Sequence, residues 1–201
     1  MSRYEAVVIG VSAGGLKALS DVLSYLPRDY LLPVLIVQHL LDGSDNFLAE
    51  YLNEQTAVHV KEADEKELIR PGYVYLAPAG YHLLIEEDRT ISLSVDPRVN
   101  YSRPSIDVLF ESAAYVFEER CVGVILTGAN SDGSVGLSAI HKKGGLTVVQ
   151  DPKTAEYNMM PDAAIQATKV DHILSLAEIG KLLSGLGWGT GSRIFNQGEN
   201  G

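Results

Sequence analysis

Residues 7–15 read V-V-I-G-V-S-A-G-G, an unbroken apolar run that enters a glycine-rich turn and passes straight into a helical pattern. Runs without alternation suit strands buried on both faces of a parallel sheet. Leu16, Leu19, Val22 and Leu23 follow at helical spacing and mark the expected apolar face of the next element. Strand, glycine turn and helix together put the turn at the carboxyl edge of a sheet, beside a helix N-terminus. Glycines there permit backbone angles that a Cβ forbids and let a ligand approach the main chain. Three uses fit this geometry. A phosphate cradle would present backbone N–H groups and the helix dipole to an anion. A G-x-S-x-G turn would present a serine hydroxyl, and a plain βα turn would do neither. Gly10-Val11-Ser12-Ala13-Gly14 satisfies G-x-S-x-G in every place. Ser12 occupies the middle glycine of the dinucleotide fingerprint, and no lysine follows as a P-loop needs.

The strand signature recurs at 34–37, which ends in Gln38-His39, and at 121–126, which ends in a second polar, glycine-containing turn at 127–131. Helical stripes are expected at about 44–54, at 105–117 with Ser105 as N-cap, and between that second turn and Gly144-Gly145. Strands are expected at 57–60, 146–150 and 170–174. Pro161 suits the first turn of a helix, and Ser175 with Glu178 forms a capping box for the last one. Short runs at 73–77, 81–85 and 90–95 predict an antiparallel excursion at one edge, the last two joined across Asp88-Arg89 as a hairpin. Strands alternating with helices give an α/β fold: a doubly wound, mostly parallel sheet with helices on both faces and that antiparallel hairpin.

Several function classes drop out on composition. The formal net charge of −10, without a dense basic cluster, argues against nucleic acid. No apolar run reaches the ~20 residues of a membrane span, and the first residues enter a strand with no signal-peptide layout. A single cysteine, Cys121, excludes an internal disulfide framework and agrees with the cytoplasm. It opens its strand at the edge away from the turns, as a buried inert thiol would.

Ligands in open α/β sheets sit off the carboxyl ends of the strands. That rule selects Ser12, His39 and Asp132, each just beyond a strong apolar run. Serine is a poor nucleophile until a base takes its proton, and an imidazole needs a carboxylate to hold its tautomer and charge. The three therefore suit acyl transfer. His59, His82, His141 and His172 fall within strands or near a helix end, and none makes a close metal-binding pair. Asp107 belongs to a first helical turn, where the dipole alone accounts for it. The order Ser, His, Asp differs from that of α/β-hydrolases, so an ordinary lipase or esterase is disfavoured.

Taken in order, I-G-V-S-A-G-G (9–15), V-Q-H (37–39), L-A-P (76–78), V-N-Y-S-R-P-S-I-D-V-L-F (99–110), G-V-I-L-T-G-A-N-S-D-G (123–133) and M-P-D-A-A-I (160–165) resemble the catalytic domain of bacterial chemotaxis receptor protein-glutamate methylesterases. The resemblance implies a triad of Ser12, His39 and Asp132, hydrolysis of γ-glutamyl methyl esters on cytoplasmic receptor helices, and deamidation of receptor glutamines by the same route. It implies no cofactor and no metal. Backbone N–H groups of the glycine turns, those of Ala13, Gly14 and Ala129, are the expected oxyanion donors. Arg103, in the loop before Ser105, is a candidate for the substrate groove, with pinning of that loop as the alternative. Three departures stand out. Ala13 replaces the usual Ser or Thr, Ala129 and Asn130 replace Met and Gly, and no receiver segment precedes the first strand. A binding module that has lost catalysis is the rival reading, and a nucleotide-binding domain a more distant one.

On this reading residues 1–187 form the catalytic domain and 188–201, rich in glycine and polar residues, a mobile tail. A receiver needs its own core of ~100 residues, so control is expected from a separate partner or from receptor recruitment. Purified protein assayed on methylated receptor membranes should show basal activity that acetyl phosphate does not raise; severalfold stimulation with no other protein present would overturn this.

Overall fold

The computed structural model describes residues 3–39 and 47–187. In chain order they form β1 (Ala6–Val11), α1 (Gly15–Leu23), β2 (Val34–Gln38), α2 (Phe47–Gln55), β3 (His59–Glu62) and β4 (Tyr73–Leu76). A hairpin of β5 (His82–Ile85) and β6 (Ile91–Ser94) follows, then α3 (Ile106–Phe117) and β7 (Cys121–Ile125). The chain continues through α4 (Ser134–Lys142), β8 (Leu146–Gln150), α5 (Met159–Ala167), β9 (His172–Leu174) and α6 (Leu176–Gly187). Residues 40–46, including the expected start of α2 at Ser44, and the tail from Trp188 lie outside the described residues.

Seven strands form one parallel sheet in the order β3-β4-β2-β1-β7-β8-β9. β1, β2 and β7 are buried throughout, as unalternated apolar runs require. Alternate residues of β1 serve different layers. Val7, Ile9 and Val11 pack with Leu19, Val22 and Leu23 of α1 and Leu183 of α6, whereas Ala6 and Val8 belong with Phe110 and Phe117 of α3 and Leu137 of α4. The chain winds from β1 to β2 on one side and returns with β7 on the other. Three consecutive central strands thus deliver residues 12, 39 and the 127–132 turn to one edge, at the point where strand order reverses.

Two details differ from the sequence-based expectations. Residues 73–76 are not part of the antiparallel excursion: β4 inserts parallel between β3 and β2, pairing Val34 with Val74 and Leu35 with Tyr75. Val74 and Leu76 supply one layer and Tyr75 the other, a two-sided burial that so short a run does not announce. The hairpin itself forms as a separate two-stranded sheet, and its Leu83, Ile85 and Ile91 join the layer of α3. Leu16 is exposed, since α1 begins at Gly15 and turns Ala18 inward with Leu19 instead.

α3 and α4 meet closely because Gly136 lies against Phe110 and the backbone of Asp107. A Cβ at Gly136 would stand 2.5 Å from Phe110 Cβ and 3.1 Å from the Asp107 carbonyl oxygen. Gly136→Ala should therefore lower stability by about 1–3 kcal/mol through overpacking. Gly185→Ala in α6, where nothing lies within 4 Å, should be neutral or stabilising by up to about 1 kcal/mol. Urea unfolding of the two variants side by side checks both.

Candidate active site

Ser12 follows β1, and its N–H donates to the Thr127 carbonyl oxygen at 3.0 Å, which locks its turn to the one after β7. The Gln38 amide nitrogen donates to the carbonyl oxygens of Ser12 and His39, both at 2.9 Å, and ties the turn after β1 to the end of β2. A Cβ at Gly15 would run into the Gln38 carboxamide, so a side chain there would displace the amide that ties the two turns. The turn carries its positive φ at Gly14 (78°) and not at the serine, unlike the strained serine of a hydrolase elbow. Gly128 is equally constrained: its Cβ would meet Met160 Sδ at 2.3 Å and Ser12 Cβ at 3.0 Å.

His39 joins the other two residues. Its Nε2 lies 2.8 Å from Asp132 Oδ2, and its Nδ1 3.2 Å from Ser12 Oγ. Asp132 only accepts, so Nε2 carries the proton and Nδ1 offers its lone pair to the serine. In chymotrypsin-type sites the two nitrogens are used the other way round, yet the relay of carboxylate, imidazole and hydroxyl is the same.

Asp132 is held with unusual completeness. Its Oδ2 accepts the Ile106 N–H at 2.7 Å as well as His39. Its Oδ1 accepts from Ser105 Oγ at 2.9 Å, Asn100 Nδ2 at 3.1 Å, Gly133 N–H at 3.1 Å and Asp107 N–H at 3.2 Å. The carboxylate thus caps α3 from outside. Ser105 stands at the N-cap position as expected, but its side chain makes no cap bond and turns to Asp132. Burial by itself would raise the Asp132 carboxyl. Hydrogen bonds from His39, Ile106 and Asn100 outweigh it and hold the group below the usual carboxylate range.

Behind it lies Asp107, also buried, which accepts the Gly136 N–H at 2.7 Å and Asn100 Nδ2 at 2.8 Å. Burial, reinforced by the neighbouring Asp132 charge, pushes its carboxyl up to about 6 against hydrogen bonds that pull it down. Asp107 is therefore more than a residue of a helical first turn. His82, set aside as a strand residue, is 1% exposed and likewise supports the site. Its Nδ1 accepts the Ser105 N–H at 3.2 Å, and its Nε2 lies 3.1 Å from the Pro97 carbonyl oxygen, to which it donates. The signal for Gln38, Asn100, Ser105 and Asp107 was their place in the 37–39 and 99–110 segments. Nothing local marked His82.

The remaining candidates sort clearly. The Ala13, Gly14 and Ala129 N–H groups donate to no backbone or side-chain acceptor among the described residues and border Ser12 at the start of α1 and after β7. Arg103 donates to the carbonyl oxygens of Val95 at 2.7 Å and Asp96 at 3.1 Å, so its guanidinium secures the loop. Cys121 is fully buried, and burial drives its thiol far up. An open cleft of about 470 Å3 beside Ser12 is walled by Leu16, Lys17, Phe47 and Glu156. A second cleft, about 360 Å3, lies at the opposite strand ends; its charged groups, Glu5 and Arg89, pair with one another and leave no nucleophile.

Residues 7–183 match the family model for CheB methylesterase. The chain belongs to the CheB methylesterase family. A putative protein-glutamate methylesterase/protein-glutamine glutaminase of Leptospira interrogans is 55% identical over 180 residues, covering 90% of this chain and 93% of that protein. The corresponding protein of Clostridium acetobutylicum is 40% identical over 186 residues, and here the chain spans 54% of its relative. The crystal structure of the Thermotoga maritima CheB methylesterase catalytic domain superimposes with a TM-score of 0.87 at 31% identity, over 91% of this chain and 98% of that one. The CheB-type sheet is therefore the sheet described above.

The two buried carboxylates give the stability of this CheB domain a signed pH dependence. Asp107, raised in the fold, takes up its proton before the unfolded chain does, so its contribution grows as pH falls from above about 6 towards 4. Asp132, depressed in the fold, contributes above the ordinary carboxylate range and loses that contribution as pH falls through its folded value. Urea midpoints measured at a series of pH values should rise towards pH 5 more in the wild type than in Asp107→Asn; parallel curves would refute the assignment to Asp107.

Proposed function

We propose that this chain is a serine esterase that hydrolyses γ-glutamyl methyl esters on the helices of chemotaxis receptors in the cytoplasm. The observation that carries this is the relay Ser12 Oγ, His39 Nδ1, His39 Nε2 and Asp132 Oδ2, within a chain of the CheB family. Ser12 Oγ attacks the ester carbonyl carbon while its proton passes to His39 Nδ1. The tetrahedral intermediate places its oxyanion among the Ala13, Gly14 and Ala129 N–H groups, where such donors are worth several kcal/mol. As it collapses, the Nδ1 proton goes to the methoxy oxygen, methanol leaves and an acyl ester remains on Ser12. A water then attacks with Nδ1 as its base, and glutamate is released. Glutamine reacts through the same steps with ammonia as the leaving group, consistent with the double name of the relatives.

The surroundings of the site support a macromolecular substrate. Leu16, Phe47, Val135 and Met159 stand in the first turns of α1, α2, α4 and α5, all exposed, with Tyr157 beside them. These helix starts follow strands of the sheet, so they ring its carboxyl edge. An apolar collar around a polar centre suits the apolar face of a helix that projects a glutamyl ester inward. None of the described helices is long and apolar enough to cross a membrane. Regulation by a separate partner fits the same open collar. An intact relay, with every side-chain polar atom of His39 and Asp132 engaged, favours an enzyme over a module that only docks.

Methanol release from methylated receptor membranes tests the proposal. Ser12→Ala and His39→Ala should each lower turnover by about three orders of magnitude or more, and Asp132→Asn severely as well. A phosphonylating reagent should label Ser12 in the wild type only. Near-wild-type turnover by folded Ser12→Ala would end the covalent mechanism.

A further inference from the structure

The base nitrogen of His39 has a second donor besides the serine. Asn130 Nδ2 lies 3.1 Å from His39 Nδ1, slightly nearer than Ser12 Oγ at 3.2 Å. Which end of the amide faces the ring is fixed by its other bond. Asn130 Oδ1 lies 3.0 Å from the Asp132 main-chain nitrogen, and a backbone N–H can only donate. The oxygen must therefore face Asp132 and the NH2 group must face the imidazole. Nδ1 has one in-plane lone pair, and a donor in that position is compatible only with an unprotonated Nδ1. The Asp132 carboxylate at Nε2 demands the same tautomer from the other side.

We infer that Asn130 is a positioning residue that holds the His39 ring in the tautomer with its proton on Nε2, so that Nδ1 faces Ser12 as an acceptor. This rests on the hydrolase reading above and adds to it the control of the base. Asn130 at Nδ1 and Asp132 at Nε2 select the same tautomer from opposite sides of the ring. Among the described residues, the other charged groups near the site are Asp107 of α3, behind Asp132 and linked to it through Asn100, and Lys17 and Glu156 in the wall of the cleft beside Ser12. None of these three bonds to His39, whose ring partners are Ser12, Asn130 and Asp132. When the ring takes the serine proton, the new Nδ1–H faces the amide NH2 group. That repulsion favours passing the proton on to the leaving oxygen.

Two substitutions separate this role from a structural one. Asn130→Asp keeps an oxygen for the Asp132 N–H but turns an acceptor towards Nδ1, whereas Asn130→Ala removes both bonds. Nitrogen-15 imidazole spectra report which ring nitrogen carries the proton. At neutral pH they should show Nδ1 unprotonated in the wild type and Asn130→Ala, and protonated in Asn130→Asp. Ester hydrolysis by Asn130→Asp should fall about tenfold or more in kcat/KM. An Asn130→Asp protein with wild-type kcat/KM, or with an unprotonated Nδ1, would overturn the inference. Should the wild type hydrolyse no ester at all, the functional reading fails, and the tautomer comparison still decides the role of Asn130.

Discussion

The carboxylate of Asp132 at the amino end of α3 is the interaction on which the rest of the site depends. Two main-chain N–H groups of the first helical turn, those of Ile106 and Asp107, point at it, so the helix dipole and the free N–H groups of the helix start stabilise its charge. A buried carboxylate without such partners would take up a proton and lose its hold on His39. Held as it is, it stays ionised and presents one lone pair of Oδ2 to the imidazole. The same contact closes α3 onto the turn after β7, and fold and chemistry share one group there.

That sharing explains why so many neighbours are constrained. Gly136 lets α3 and α4 approach until Asp107 can take the Gly136 N–H. Asn100 then bridges Asp107 and Asp132 from a tight turn in which Asn100 and Tyr101 both have positive φ, at 49° and 63°. Two consecutive non-glycine residues in that region are costly and persist only where surrounding bonds hold them. His82 braces Ser105, and Arg103 fastens the preceding loop through the Val95 and Asp96 carbonyls. On the other side Gln38 and Thr127 lash the turns after β1, β2 and β7 together. The serine sits at the meeting point of these ties without being strained itself.

Much of this was legible in the residues alone. Unalternated apolar runs between helical patterns suit strands buried on both faces of a parallel sheet, which placed β1, β2 and β7 and put Ser12, His39 and Asp132 at a common edge. Gly10 and Gly14 marked the close turn, because one lies where Ile106 packs and the other takes a φ of 78°. What sequence could not decide depends on contacts between segments far apart in the chain. Whether 73–76 pairs parallel or antiparallel is settled by which backbone lies beside it, and a four-residue run carries no record of that. Ser105 reads as a cap locally, but the tertiary fold offers its hydroxyl a charged acceptor 27 residues away, a stronger partner than a helix amide. Asp107 and His82 looked ordinary for the same reason: a side chain's role depends on the groups that surround it once buried. The sequence determined which chemistry-bearing residues reach the sheet edge. Only the tertiary structure decided which nitrogen of His39 serves the serine, because that follows from the direction in which Asp132 and Asn130 approach the ring.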